Sequence, residues 1–358
     1  MRRLNFLDGL RGWGAVFVVL FHVFCEGLPI NACFDSYVRL LIPFNGGVAV
    51  LVFFVVSGFS LSVRYLADGN IQSWSKLVAG RYLRLAIPIF AACVLVHVVT
   101  VCGFLDPPGD RLAKFSPFLS FTPTLGHLLQ FALFDVFFRY SGADTYIAPL
   151  WTMSVELFGS FVVLLAIVVV RPLPGRPLLL FGLAGLVLWL APTEFTAMLA
   201  LFPAGAALAD CFDRGWVDAT PKPIALVFLA IGCLAPIVLP YSVTAWGLAG
   251  ALSLTFGCIA LPRVRAWLSG AISVHLGKIS FPLYLVHGPV ICFVGEPLTR
   301  HVGDGLLLKV LVQIVVVALS FAAAYVFLPV NEFAIRIAHR FAKSVTSPFF
   351  ISPAAAER

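Results

Sequence analysis

Arg11 and His22 have the types and spacing best suited to acid–base chemistry in this chain. Ten residues of an apolar run, GWGAVFVVLF, separate them. On an α-helix, eleven steps make about three turns, so both side chains share one face about 16 Å apart. Imidazole accepts and returns a proton near neutral pH, and an ionisable residue at membrane depth suggests function. The pair predicts a general base; a packed, non-catalytic histidine is the alternative.

Arg81 and Arg84 form a second polar group at the start of a later apolar run. Because they are three residues apart, both guanidinium groups lie on one helical face. Paired arginine forks suit phosphate oxygens, so the spacing predicts a phosphate clamp. The alternative is that both cations only anchor a membrane helix at the cytosolic side.

Two more polar groups lie at the ends of later apolar runs. The segment WTMSVE begins with Trp151, a residue type found at membrane interfaces, and ends with Glu156, which nothing nearby in sequence neutralises. The segment HLGKISFPLYLVHGP (275–289) places Tyr284 and His287 on an apolar helix. These side chains predict a polar site inside a helix bundle.

The composition indicates that membrane helices must position these residues. Aliphatic, aromatic and cysteine residues make up 61% of the 358 residues, charged residues only 11%, and the mean hydropathy is +1.01. A soluble domain carries about 25% charged residues. We therefore expect an all-α polytopic integral membrane protein. Windows of about 20 apolar residues predict ten transmembrane helices, at 10–26, 44–64, 83–104, 149–170, 177–191, 195–212, 223–239, 242–261, 279–298 and 306–329.

The distribution of Lys and Arg residues predicts how these ten spans are oriented in the membrane. With the N-terminus in the cytosol, eighteen of the 24 Lys and Arg residues fall on the cytosolic side, as the positive-inside rule requires. Both termini are then cytosolic, with a single membrane domain over 1–343 and a short tail over 344–358. The run 125–138 is interrupted by polar residues and predicts an interfacial or re-entrant helix. The net charge of +7 thus reflects topology, and no nucleic-acid partner is expected.

The eight cysteines lack the spacing of a metal site, and most lie in apolar runs. We therefore expect no metal and treat them as small apolar residues. Cys25 and Cys33 flank the first outer loop, where they could pair; the sequence leaves this open.

Five segments, in order along nearly the whole chain, resemble the membrane-bound acyltransferase 3 family, which includes O-antigen acetylases and nodulation-factor O-acetyltransferases. The positions that match its motifs are Arg11 and His22 (Arg, ten residues, His), Ser57 within the FFVVSGF run at 53–59, Arg81 and Arg84 (R-x-x-R), Trp151 to Glu156 with Thr152 and Met153 substituted, and Tyr284, His287 and Pro289 of the late helix. Each motif alone is weak, whereas five in order are specific.

The resemblance implies transfer of an acyl group, most often acetyl, from cytosolic acyl-CoA to a hydroxyl of a cell-surface or lipid-linked carbohydrate. It implies a bacterial cytoplasmic membrane and a polysaccharide-biosynthesis setting. The partners would be acyl-CoA, a glycan or glycolipid acceptor and membrane lipids, with no permanently bound cofactor. The residue roles implied are catalysis by His22, Arg11 and Glu156, binding of CoA phosphates by Arg81 and Arg84, and substrate binding by Trp151, Ser57, Tyr284 and His287.

Some roles stay open at this point. His22 would act as a general base toward the acceptor hydroxyl, or would carry the acyl group itself as a covalent relay. Glu156 would orient the sugar or pair with His22. Departures from the family pattern, Leu157-Phe158-Gly159 and Glu332-Phe333-Ala334, leave the acceptor open.

Two other classes of protein would also place charges inside a membrane. A proton-coupled transporter or flippase of a lipid-linked sugar would use the Arg, His and Glu as a proton relay. Such transporters often contain repeated halves, whereas the motifs here crowd into residues 5–156 and 177–262 is almost free of charge. A non-catalytic scaffold would have no reason to align Arg11 with His22.

Overall fold

The computed structural model describes residues 4–30, 37–38, 40–106, 110–111, 119–238, 245–303 and 305–350. These residues form helices and turns and no β-strand, which confirms the all-α fold class. The helices are, in chain order, α1 Asn5–Phe21, α2 Gly46–Asp68, α3 Ile71–Val101, α4 Leu125–Gln130, α5 Val136–Phe138, α6 Thr152–Val170, α7 Arg176–Leu190, α8 Glu194–Asp213, α9 Lys222–Val238, α10 Ala245–Ala260, α11 Pro262–Leu268, α12 Ala271–Val290, α13 Glu296–Val302 and α14 Leu306–Thr346.

The chain is a polytopic membrane protein. Within the described ranges, seven helical segments are long and apolar enough to cross a membrane, or eight if the pair Gly247–Ala260 and Pro262–Leu268, bent by 93°, is one span. Within the described residues, each of the ten predicted spans overlaps a helix. However, α7 has 15 residues, about 23 Å of helix, less than the hydrocarbon core of about 30 Å. The count of ten and the cytosolic termini therefore stay predictions.

Two sequence predictions fall largely outside the described residues. Cys33 is not among them, so the pairing of Cys25 with Cys33 stays open. Most of the tail at 344–358 also lies beyond the last described residue.

The run 125–138 forms a short helix, and its interfacial or re-entrant position stays a prediction. Helix α4 continues through a π-helical turn, Phe131–Asp135, into α5. The whole helix, Leu125–Phe138, is about 21 Å long and cannot cross a hydrocarbon core.

Close glycine contacts fix α1 against α12. A Cβ added at Gly12 would lie 2.5 Å from the backbone nitrogen of Gly277, and one added at Gly277 would lie 2.4 Å from the Asp8 carbonyl oxygen. Small residues allow such close approach of membrane helices. The two helices run parallel, with Arg11 and Gly277 toward one end and His22 and His287 paired toward the other.

Helix α2 packs equally closely against α8. A Cβ at Gly58 would lie 2.1 Å from the carbonyl oxygen of Phe202, and one at Gly205 would lie 2.1 Å from that of Val55. The contact holds α2, which carries Ser57, at a fixed depth in the bundle.

Both α1 and α12 end in a π-helical turn, His22–Gly27 and Ile291–Gly295 respectively. A π turn contains one residue more than an α turn and often marks a functional site. Here His22 is the first residue of one π turn, and His287 lies on α12 shortly before the other.

Candidate active site

A buried ion pair connects three helices. Arg81 on α3 donates through Nη2 to Oε1 of Glu156 on α6, and its Nε donates to the Ser160 hydroxyl at 2.8 Å. Ser57 on α2 donates to the same Glu156 oxygen at 2.9 Å. The side chains of Arg81 and Glu156 are 9% and 14% exposed. The carboxylate is thus neutralised by a guanidinium and further stabilised by a hydroxyl.

This ion pair lies on the wall of a cavity of about 440 Å³, which we call the cationic cavity. The charged residues that line it are Asp8, Arg11, Arg81, Arg84, Glu156, Lys278 and Glu332. Cations outnumber carboxylates by four to three, and one carboxylate already pairs with Arg81. The cavity therefore suits an anionic ligand.

The two arginines of the predicted phosphate clamp line the same cavity but differ in their surroundings. Arg81 is buried, and two of its nitrogens, Nε and Nη2, bind Ser160 and Glu156. Arg84 is exposed and forms no ion pair with any residue that the structure describes. Positions three apart on a helix point in directions about 60° apart, so one faces α6 while the other is open to the cavity. Both arginines line the cavity, and Arg84 is the more exposed of the two.

Two histidines from parallel helices form the second part of the site. His22 Nδ1 lies 3.0 Å from His287 Nε2, and the two rings stack with centroids 5.1 Å apart. His287 Nδ1 lies 3.0 Å from the Leu283 carbonyl oxygen. On the other side of the pair, His22 Nε2 lies 3.4 Å from a carboxylate oxygen of Glu26.

The paired histidines border a separate cavity of about 510 Å³, which we call the histidine cavity. Its lining residues are His22, Glu26, Gly27, Tyr140, Ala148, Pro149, Trp151, His287, Gly288, Ile291 and Cys292. Most of them are apolar or aromatic, so an imidazole faces a space with few competing polar groups. This arrangement allows proton transfer to or from a bound hydroxyl.

A single layer of residues separates the two cavities. The Tyr284 hydroxyl donates to the Pro149 carbonyl oxygen and lies 2.6 Å from the Thr152 hydroxyl. Tyr284 and Thr152 line the cationic cavity, whereas Pro149 lines the histidine cavity. Along α12, His287 follows Tyr284 by less than one turn, so the histidines lie just beyond this layer as seen from the cationic cavity.

The structure divides the nine predicted site residues between the two cavities. The cationic cavity contains Arg11, Ser57, Arg81, Arg84, Glu156 and Tyr284, and the histidine cavity contains His22, Trp151 and His287. Arg11 and His22 share a helix but line different cavities. Glu156 pairs with Arg81, not with His22, because it opens to the other side of the Tyr284 layer.

Three site residues were not recognised from the sequence. Glu26 follows His22 by four residues, and Ser160 follows Glu156 by four, so the helical spacing alone carried a signal. Tyr140 lies in a loop, where its hydroxyl donates to the Ala148 carbonyl oxygen at 3.0 Å, and no sequence pattern pointed to it. Among the described residues, no group of three or more His, Cys, Asp or Glu side chains is placed to hold a metal ion.

The fold and the two cavities define a polytopic membrane protein with a charged site and a histidine site inside one helix bundle. The model of the acyltransferase 3 family, an acyltransferase domain, matches residues 4–328, and the chain belongs to this family. It is therefore a multi-pass membrane acyltransferase.

A curated relative supports the same class. The chain is 25% identical over 374 residues to the O-acetyltransferase PaAT-1 of Phomopsis amygdali, with 83% of this chain and 74% of the relative covered. No solved structure matches the chain significantly.

Proposed function

We propose that this acyltransferase moves an acyl group, most simply acetyl, from cytosolic acyl-CoA to a hydroxyl of a cell-surface or lipid-linked carbohydrate. The observation that carries the proposal is the pair of cavities, one cationic and one containing His22, that meet at the Tyr284 layer. The relative named as an O-acetyltransferase favours acetyl as the acyl group and oxygen as the acceptor atom.

The cationic cavity is the donor site in this proposal. Coenzyme A carries several phosphates, and Arg84, Lys278 and Arg11 line the cavity at the end that the predicted topology places in the cytosol. These cations offset the cost of moving phosphate toward the bilayer. Arg81 contributes indirectly, since its guanidinium fixes Glu156 and leaves Arg84 to meet the ligand.

The histidine cavity is the acceptor site. Trp151 and Tyr140 line it beside His22, and aromatic rings of this kind combine an apolar face with a polar edge. A sugar ring, which is apolar on its faces and polar at its rim, fits such walls. The acceptor hydroxyl would then approach His22 from the side opposite the donor.

The chemical step uses His22 as the base. The acceptor hydroxyl loses its proton to His22 Nε2 while its oxygen forms a bond to the thioester carbonyl carbon. The tetrahedral intermediate then breaks its carbon–sulfur bond, and the leaving thiolate takes the proton back from His22. The products are an O-acyl ester and free CoA thiol, and the enzyme returns to its starting protonation state. The acyl carbon must pass the layer of Tyr284 and Thr152 to reach His22.

The setting proposed is a bacterial cytoplasmic membrane, with acyl-CoA supplied from the cytosol and the glycan or glycolipid presented from the other face. The eighteen-to-six distribution of cations supports this orientation.

The test is turnover of acetyl-CoA by the full chain in membranes, with a cell-envelope glycan fraction as acceptor. We expect His22→Ala to lower CoA release by 10²-fold or more, the usual contribution of a general base. We expect Arg84→Ala to raise the KM for acetyl-CoA with a smaller effect on kcat, since Arg84 binds the donor rather than the reacting atoms.

Matched controls separate these effects from folding. His301 and Arg340 are exposed and line neither cavity, so His301→Ala and Arg340→Ala should behave like wild type. Full turnover by His22→Ala would refute the catalytic assignment. An acylated His22 peptide trapped after donor alone would replace the general-base step by a covalent relay. Failure of the wild-type chain to consume acetyl-CoA or longer acyl-CoAs would refute the proposed function itself.

A further inference from the structure

Glu26 stands next to the proposed base but belongs to no motif of the family resemblance. It lies on the π-helical turn that follows α1, four residues after His22. Its carboxylate Oε2 is 3.4 Å from His22 Nε2, and its side chain is 53% exposed. It is the one carboxylate among the described residues that line the histidine cavity.

The hydrogen-bond geometry assigns the protons on the two histidines. The Leu283 carbonyl can only accept, so His287 Nδ1 carries a proton toward it. One proton also lies between His22 Nδ1 and His287 Nε2, which are 3.0 Å apart. If both rings are neutral, these two positions use both available protons, His22 donates from Nδ1, and His22 Nε2 is left with a lone pair.

This lone pair points toward Glu26 and the histidine cavity. At 3.4 Å, the separation between His22 Nε2 and the Glu26 carboxylate is too long for a strong hydrogen bond. The nitrogen therefore remains accessible to a hydroxyl. A third proton on the pair can settle only at His22 Nε2, directly beside the carboxylate.

We propose that Glu26 is a positioning residue of the transfer reaction, whose carboxylate orients the His22 ring and balances its charge while His22 holds the proton of the acceptor hydroxyl. This inference rests on the proposed function, in which His22 is the base. His287 holds the opposite side of the ring in a fixed tautomer, so His22 is bracketed by an acceptor nitrogen and an anion.

The step balances without any further reactant. The acceptor O–H bond breaks, its proton binds His22 Nε2, and the hydroxyl oxygen forms the new bond to the acyl carbon. The imidazolium then faces the Glu26 carboxylate until the carbon–sulfur bond breaks and the thiolate takes the proton. Glu26 exchanges no proton in this step and forms no covalent bond.

The other titratable groups that line the histidine cavity are His287, Tyr140 and Cys292. His287 contacts His22 from α12, Tyr140 comes from the loop before α6, and Cys292 lies on the second π turn. None of these three is an anion at neutral pH in its ordinary state. Glu26 is therefore the group expected to favour the protonated form of His22.

The experiment compares Glu26→Gln and Glu26→Asp with wild type in membranes, using acetyl-CoA and the cell-envelope glycan fraction. Gln keeps the size and removes the charge. We expect kcat to fall about tenfold in Glu26→Gln, in line with a partial loss of general-base assistance. The KM for acetyl-CoA should not change, since the donor binds in the other cavity. Glu26→Asp should recover part of the lost rate.

The pH–rate profile provides a readout that a purely structural role would not change. A nearby carboxylate favours the imidazolium, so removing its charge lets the unprotonated base persist to lower pH. The acidic limb of the profile should move to lower pH in Glu26→Gln, while its plateau falls. In a His22→Ala background, Glu26→Gln should cause no further loss, because the two residues act as one unit.

Glu194→Gln is the matched control. Glu194 is exposed at the start of α8, on the same predicted face of the membrane, and it lines neither cavity. It should retain wild-type rates and pH dependence. Size-exclusion profiles of all variants establish that each is folded.

The inference is overturned if wild type is active and Glu26→Gln keeps its kcat and its acidic limb. It is also overturned if Glu26→Gln lowers activity equally with and without His22, since that loss would not act through the base. Absence of acyl-CoA turnover in wild type would instead overturn the proposed function, and the inference with it, so the two failures are distinguishable.

Discussion

Replacing Glu156 by alanine tests whether the ion pair between α3 and α6 holds the site together. The change leaves the Arg81 guanidinium buried without its anion and removes the acceptor of the Ser57 hydroxyl. Breaking a buried ion pair from one side costs about 3–5 kcal/mol. Because the Glu156 side chain is 14% exposed and lines a cavity, water can replace part of the lost interaction. We therefore expect a loss near the lower limit, about 3 kcal/mol.

Glu156→Gln should be milder. The amide oxygen still accepts from Ser57 and Arg81, but the negative charge that strengthened both hydrogen bonds is gone, a loss of roughly 1 kcal/mol each. We expect a loss of about 2 kcal/mol. Replacing both partners, as Arg81→Met with Glu156→Leu, removes the charge imbalance and should be more stable than Glu156→Ala alone.

The assay is the free energy of unfolding in mixed detergent micelles, with Glu194→Ala as the exposed control, expected within about 0.5 kcal/mol of wild type. The reasoning is refuted if Glu156→Ala is as stable as the control. It is also refuted if the double variant loses the sum of the losses measured for Arg81→Met and Glu156→Leu made singly, because an ion pair requires the two changes to be coupled.

Two more predictions address packing and the wall between the cavities. Gly58→Leu drives a side chain into the Phe202 carbonyl oxygen, because even a Cβ at position 58 would lie 2.1 Å from it. We expect this variant to lose at least about 1–3 kcal/mol of stability. The control, Gly182→Ala, has no neighbour within 4 Å of the added Cβ and should leave the thermal midpoint unchanged or slightly raised. Tyr284→Phe removes the hydrogen bond to the Pro149 carbonyl oxygen and opens the layer between the cavities to water. We therefore expect the ratio of CoA released to acyl group transferred to rise above the wild-type ratio. An unchanged ratio would mean that the Tyr284 hydroxyl does not seal the layer.

The membrane helices were predictable because an apolar run of about twenty residues has one stable form in a bilayer, in which every backbone polar group is satisfied within the segment. Local spacing also predicted Arg11, His22, Arg81 and Arg84 as site residues, and each of them lines one of the two cavities. The pairing between helices was not predictable. Arg81 meets Glu156 from 75 positions away and His22 meets His287 from 265 positions away, and no local pattern records such a contact.

Because contacts between helices were not predictable, the shared helical face of Arg11 and His22 did not show that they line different cavities. Arg11 and His22 are about 16 Å apart along α1, a separation that places them on opposite sides of the Tyr284 layer. The spacing of residues along a helix shows the direction in which each side chain points. It does not show at which height along the helix a neighbouring helix makes contact. That height is set by glycine contacts such as Gly12 with Gly277.

Because of the π turn at His22–Gly27, the histidine cavity can change among related chains more easily than the cationic cavity. The π turn contains one residue more than a turn of α-helix. Deleting one residue there would restore the α-helical hydrogen-bond pattern and rotate the residues that follow by about 100° about the helix axis. Glu26 would leave the cavity, while Arg11, on the N-terminal side, would keep its place. One-residue insertions and deletions can thus remodel the histidine cavity, the proposed acceptor site, and leave the cationic cavity, the proposed donor site, in place.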